Sequence, residues 1–169
     1  MLASITGTPG TGKTSLGRTL ASRGYEVVSL NSLLEDTGQL NCFDKEHGSF
    51  EIDVTILKEL QVREGEITFI EGHLTHHLDC DISIVLRCDP VVIRERLSHR
   101  GYSEKKISEN VDSEIIDLIL IESLQNGVAT YEIDCTCLEL DEVADSVVEI
   151  INGKGDAYLP GRINWIGDL

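Results

Sequence analysis

The chain has 169 residues, with 30 acids against 14 bases and a formal charge of −16. One domain with a substantial core fits that length, and so acidic a surface repels polyanions, which excludes a general nucleic-acid-binding face and leaves either plain solubility or a basic partner. No run approaches eighteen apolar residues, and no charged segment leads into an apolar one at the start, so neither a membrane span nor a secretory leader is expected and the expected location is the cytoplasm.

In chain order, residues 2–6 form a short apolar run, followed by a glycine-rich loop. Residues 15–23 then place Leu16, Leu20 and Ala21 at helical spacing, giving strand, loop and helix. Residues 26–30 (EVVSL) read as a second strand. Asn31 or Ser32 can cap a helix through Leu33 and Leu34 that Gly38 closes. Residues 39–53 are polar and aperiodic, a loop or small excursion, and residues 54–63 form a helix with Val54, Leu57 and Leu60 on one stripe. Residues 66–71 (EITFIE) are a buried strand ending in an acid, and residues 81–87 (DISIVLR) another.

Pro90 then opens a helix to about residue 100. A long helical stretch from Ser103 to about residue 125 sets Ile107, Val111, Ile115, Ile116, Leu118, Ile119 and Leu120 on one broad buried face. Residues 131–135 are the last strand and residues 140–151 the last helix. The tail, residues 153–169, contains the only tryptophan, Trp165, which is expected to cover an apolar strip or to dock a partner. Strands alternating with helices throughout predict an α/β three-layer fold with a parallel sheet in a single domain. The five cysteines, Cys42, Cys80, Cys88, Cys135 and Cys137, include no CxxC pair, so buried or half-buried thiols are expected rather than a disulfide framework or zinc ribbon.

Residues 7–14 read GTPGTGKT and match the phosphate-binding pattern G-x-x-x-x-G-K-[ST] in full. Gly7, Gly10 and Gly12 let the backbone approach phosphates closely and turn its N–H groups inward, at the positive end of the following helix. Lys13 supplies positive charge for the β- and γ-phosphates, Thr14 a hydroxyl for Mg²⁺, and Ser15 lies near the α-phosphate. The pattern predicts a P-loop protein that binds ATP with Mg²⁺. Such a site needs an acid at the end of a neighbouring strand. Glu71, ending ITFIE, is the first candidate, and Asp89 competes with it, although Pro90 beside it makes a helix cap the simpler role. His73, His76 and His77 have helical metal-site spacing, but no carboxylate–histidine signature surrounds them and no stable metal site is expected.

Three strings carry a family resemblance: GTPGTGKTSLG, EGH after the third strand, and RGYSEKKISENVDSEI. Over residues 2–124 the chain resembles the adenylate kinase isoenzyme six family, also called the coilin-interacting nuclear ATPases, which has archaeal counterparts. The resemblance implies a P-loop fold of the nucleoside monophosphate kinase type, with a monophosphate-binding excursion at residues 30–53 and a short lid at residues 99–109. It implies that Gly10, Gly12, Lys13, Thr14 and Ser15 hold the triphosphate and that Arg100 closes on the phosphates from the lid. It places the family's acid-x-His pair on Glu71 and His73, with His73 positioning a water or the acceptor phosphate; the acid is Glu where eukaryotic members usually carry Asp.

One departure bears on the reaction. The excursion contains no arginine, only Lys45, so Arg94 and Arg96 would have to serve the acceptor phosphate. The implied activity is ATP + AMP ⇌ 2 ADP with broad specificity open, accompanied by ATP hydrolysis. The family further implies a place in small ribosomal subunit maturation through contact with ribosomal protein uS11 and the pre-small-subunit particle. An ATP-driven assembly factor with little kinase activity is the alternative. A shikimate- or gluconate-type kinase on the same core is a third reading, and the RGYSEKK string argues against it.

Overall fold

A computed structural model describes residues 1–38, 43–44, 49–50, 54–57, 60, 62 and 65–168. Its elements run β1 (Leu2–Thr6), α1 (Lys13–Ser22), β2 (Glu26–Ser29), α2 (Leu30–Asp36), β3 (Phe43–Asp44), β4 (Ser49–Phe50), α3 (Val54–Leu57), β5 (Thr68–Glu71), β6 (Ile82–Arg87), α4 (Pro90–His99), α5 (Glu104–Ile115), α6 (Leu118–Gln125), β7 (Ala129–Asp134) and α7 (Leu140–Ile151). Short 3-10 turns follow at Thr75–His77, Gly155–Tyr158 and Ile166–Asp168.

Five strands form one parallel sheet in the order β2-β5-β1-β6-β7. All five residues of β1 are buried, as a central parallel strand covered on both faces requires. Chain direction diverges beside β1, to β5 and β2 on one side and β6 and β7 on the other. Its carboxyl end is therefore the switch point at which α/β sheets hold ligands. The fold is that of the α/β P-loop proteins.

Helices α1 and α7 cover one face, with Leu16, Leu20, Val143, Val147 and Ile150 against Ile5, Phe69, Ile84 and Ile133. On α7 the apolar positions repeat at helical spacing, and a reciprocal capping box between Glu139 and Glu142 fixes its start. Elsewhere Leu30, Leu34, Leu57 and Leu78 pack on Leu2 and Ile70, while Ile93, Leu97, Ile107 and Val111 join α4 to α5. Truncating one of these fully buried leucines, Leu20 for instance, would cost about 2–5 kcal/mol.

The structure corrects several local expectations. Helix α2 begins at Leu30 after Ser29, so neither Asn31 nor Ser32 is its cap. Two short antiparallel strands, β3 and β4, lie inside the stretch read as irregular. The expected helix over 54–63 is described only as α3. The segment from Ser103 to about residue 125 is two helices, broken where Asp117 takes a left-handed backbone (φ 58°). Its carboxylate pairs there with the buried Arg87 guanidinium, a long-range contact that outweighs continued helix. In consequence Ile116 and Leu118 are exposed rather than part of a buried face. Cys80, Cys88 and Cys135 are buried, whereas Cys137 is exposed in the loop beyond β7.

Candidate functional site: the phosphate loop and its surroundings

The loop after β1 turns on Gly7, Gly10 and Gly12, all at positive φ. At Gly7 (φ 137°) a Cβ would stand 2.4 Å from the Leu86 carbonyl oxygen. Gly12 (φ 103°) occupies the N-cap of α1, supplies no side-chain cap, and faces open space where a Cβ would meet nothing within 4 Å. The first N–H groups of α1 are thereby left for an anion. Thr11 braces the loop, its N–H and hydroxyl both donating to the Thr8 carbonyl at 3.2 and 3.0 Å.

Lys13 is buried and folds back over the loop, donating to the carbonyls of Gly7 (2.6 Å) and Thr8 (3.0 Å). Burial pushes its pKa down to about 8; Glu71 and Glu114 oppose that, and Arg100 adds to it. The Thr14 hydroxyl donates to Glu71 Oε2 at 3.2 Å. Glu71 ends β5 in register with Ile5 of β1, and its side chain lies beside Gly17 of α1. A hydroxyl and a carboxylate converging in this way are the hard oxygen donors that Mg²⁺ takes, so the pair fits that ion. Asp89, the competing acid, accepts from the Val91 N–H at 2.7 Å and caps α4 instead.

His73 follows the turn after β5, and its carbonyl accepts from the Thr6 hydroxyl at 3.4 Å. Desolvation, reinforced by the positive charge of Lys13, pushes its pKa down to about 4. His73 is exposed at the surface, but the cations Lys13 and Lys106 act in the same direction as desolvation, so the imidazole is neutral at physiological pH. Arg100 is the exposed C-cap of α4. With Gly10, Gly12, Ser15 and Arg96 it lines a cavity of about 410 Å³ beside the loop, a volume within the range of small-molecule sites. The structure thus gathers Gly10, Gly12, Lys13, Thr14, Ser15, Glu71, His73 and Arg100 around one end of the sheet.

Of the two arginines considered for an acceptor phosphate, Arg94 pairs with Glu104, and Arg96 donates to the Gly10 carbonyl at 3.0 Å. Both arginines are thus engaged by described partners, and Lys45 lies outside the described residues.

Sequence reasoning missed two features. The first is the far wall of the cavity, formed by the loop from Cys135 to Leu140, which bears no motif. The second is a buried ionic cluster directly behind the phosphate loop. Arg87 Nε donates to Glu114 Oε1 at 2.7 Å and Nη1 to Glu132 Oε2 at 3.3 Å, while Nη2 also engages Asp117. Glu114 accepts in addition from the Thr8 hydroxyl of the loop (2.5 Å), the Cys88 N–H (3.2 Å) and the Trp165 indole N–H (3.2 Å). Burial alone would lower the Arg87 pKa; Glu114 and then Asp117 outweigh it and hold the guanidinium above its ordinary value. Tail N–H groups of Arg162 and Ile163 donate to Glu132 Oε1 at 2.7 and 3.2 Å. The tail is therefore fastened by polar bonds to this cluster, and Ile166 stays exposed. One signal was available: Glu114 falls at helical spacing from Ile107 and Val111, an acid on an otherwise apolar face.

A parallel sheet of this order, with a complete GTPGTGKT loop at its switch point and an acid on the loop's threonine, defines a phosphotransferase of the P-loop class. Comparison with known proteins agrees and narrows it. Residues 4–117 match the AAA domain model. A protein of Archaeoglobus fulgidus named "Putative adenylate kinase" is 45% identical over 172 residues, covering 100% of this chain and 94% of its own. A protein of the same name from Methanothermobacter thermautotrophicus is 40% identical, covering 98% and 97%. The chain belongs to this archaeal family of AAA-domain proteins. Among solved structures, shikimate kinase from Acinetobacter baumannii superposes with a TM-score of 0.64 at 18% identity, over 90% of this chain and 93% of that one. A gluconokinase from Sinorhizobium meliloti gives 0.54 at 17% identity, over 92% and 93%. At such identities these likenesses concern the fold alone. Among the described residues, no helix is long and apolar enough to cross a membrane.

Proposed function

We propose that the chain transfers the γ-phosphoryl group of ATP to a nucleoside monophosphate, AMP foremost, as ATP + AMP ⇌ 2 ADP. The observation that carries this reading is the convergence of Lys13, the Thr14–Glu71 pair and Arg100 on one loop and cavity. The names of the relatives support AMP over shikimate or gluconate as acceptor. ATP lies in the cavity with its base toward the 135–140 loop and its phosphates against residues 10–15. Lys13 leaves the Gly7 and Thr8 carbonyls and moves onto the β- and γ-phosphates. Thr14 and Glu71 would hold Mg²⁺, which supplies charge neutralisation on the phosphate oxygens when bound.

Arg100, on a lid of residues 99–109, closes on the transferred group; its planar fork suits the spread charge of the transition state, and closure excludes water. Neutral His73 donates its ring N–H to the acceptor phosphate or accepts a hydrogen bond from an ordered water. Residues 30–53 form the monophosphate-binding excursion. With no arginine there, Lys106, whose charge reaches His73 and whose ammonium lies 4.6 Å over the Tyr102 ring, serves the acceptor phosphate.

A second reading rests on a different observation. Ile116, Leu118, Ile121 and Leu124 are exposed along the α5–α6 segment of a strongly acidic chain, as a surface for a basic protein would be. With the isoenzyme-six resemblance of the RGYSEKKISENV string, this supports a cytoplasmic ATP-driven assembly factor acting on uS11 in small-subunit maturation. The two activities can share one molecule. Purified protein given ATP, Mg²⁺ and a panel of monophosphates distinguishes them. Stimulation of ADP formation by AMP, abolished in Lys13→Ala, is expected. Basal turnover unchanged by every monophosphate would overturn the kinase reading, and no complex with a uS11 homologue would overturn the second.

A further inference from the structure

Outside the nucleotide cavity, the described residues hold one group of side chains with metal-ligand chemistry: His76, His77 and Glu122, whose donor atoms all lie within 4.8 Å of one another. The histidines are adjacent on the 3-10 turn Thr75–His77 after β5, and the carboxylate comes from α6. Glu122 Oε2 is 3.0 Å from His76 Nε2 and 3.9 Å from His77 Nε2. Those separations bracket the edge of about 3.3 Å expected between donors arranged tetrahedrally at about 2.0–2.1 Å from a zinc ion.

The surroundings of His76 are those of a ligand held in place. Its ring is buried and lies against that of His77, the centroids 4.0 Å apart and the planes tilted by 42°. Thr6 Oγ1 lies 2.9 Å from Nδ1, and the Asn126 side-chain amide donates to the His76 carbonyl at 2.6 Å. Metal binding at Nε2 needs the proton on Nδ1. Nδ1–H would then donate to Thr6 Oγ1, whose own hydroxyl hydrogen goes to the His73 carbonyl at 3.4 Å. Every polar atom in that chain keeps a partner, which is the outer-shell arrangement that fixes a ligating imidazole. Without an ion the tautomer reverses: Nε2–H donates to Glu122, and Nδ1 accepts the Thr6 hydroxyl hydrogen in place of the His73 carbonyl.

We propose that His76, His77 and Glu122 form a three-ligand site for a divalent transition metal of the zinc class, with a fourth position open to water. Two imidazoles and one carboxylate select zinc over magnesium, which takes oxygen donors. This site is separate from the Thr14–Glu71 oxygen pair. A bound ion would tie α6 to the turn after β5 and, through Thr6, to the strand that carries the phosphate loop.

The test uses untagged, chelator-treated full-length protein titrated with Zn²⁺ in a calorimeter and with Co²⁺ in a spectrophotometer. One equivalent of Zn²⁺ is expected to bind and to raise the melting temperature. His77→Ala and Glu122→Ala, both at half-buried positions, should each weaken it at least about tenfold while melting cooperatively without the metal. The Co²⁺ spectrum of the unaltered protein is expected to show the weak bands of nitrogen and oxygen ligands. Failure to bind one equivalent, binding that survives both substitutions, or an intense thiolate charge-transfer band pointing to the cysteines would each overturn the site.

Discussion

Titrating Lys13 changes ATP affinity by an amount that follows from its surroundings. In the free protein its ammonium is buried and its pKa lowered to about 8. A base held below its unfolded value of 10.5 destabilises the fold fully below pH 8, and that cost is relieved as pH rises toward 10.5. ATP acts the other way, because its phosphates restore the charged form. At pH 7 about nine-tenths of free molecules carry the proton, and at pH 9 about one-tenth. Proton uptake on ATP binding should therefore rise from about 0.1 per site at pH 7 to about 0.9 at pH 9, and affinity should fall about tenfold. His73 and His76, with pKa values near 4, stay neutral across this window and do not obscure it. Calorimetry at both pH values, in two buffers of different ionisation enthalpy, measures the uptake directly. An uptake that stays near 0.1 at pH 9 would refute the reasoning, since Lys13 would then enter the complex already charged.

Other substitutions probe the loop and what lies behind it. Gly7→Ala drives a Cβ to within 2.4 Å of the Leu86 carbonyl oxygen at a φ of 137°, so both melting temperature and ATP binding should fall, as differential scanning fluorimetry with and without ATP would report. Arg100→Ala, at an exposed position, should leave stability within about 0.5 kcal/mol while slowing phosphoryl transfer on the order of 100-fold in a coupled assay. Glu114→Ala removes a fully buried carboxylate partner of the buried Arg87 and should cost about 3–5 kcal/mol in urea unfolding. Trp165→Phe removes a single donor from that carboxylate and should cost only about 1 kcal/mol; equal costs for the two would contradict the described network.

What the sequence made legible was mostly local. The strand, loop and helix at the start of the chain follow from a motif whose glycines and lysine have fixed uses. Helix α7 fell within its expected bounds because both its apolar stripe and its capping acids are written in consecutive residues. The break at Asp117 was hidden, since no glycine or proline marks it and the cause is Arg87, 30 residues earlier. The same holds for the His76–Glu122 pairing across 46 residues, which supplied the carboxylate that the histidine spacing alone lacked. Glu71 was legible as a strand-end acid, and its geometry settles it against Asp89 as the partner of Thr14. The cavity wall at 135–140 could be found only once β7 had been placed beside β6.

The central claim concerns where the γ-phosphoryl group goes. Incubating the protein with Mg²⁺, AMP and ATP labelled in the γ-phosphate, then separating the products, answers it in one experiment. The account predicts label in the β-position of newly formed ADP, at a rate that depends on AMP and vanishes in Lys13→Ala. Label released only as inorganic phosphate, at a rate indifferent to AMP, would contradict it.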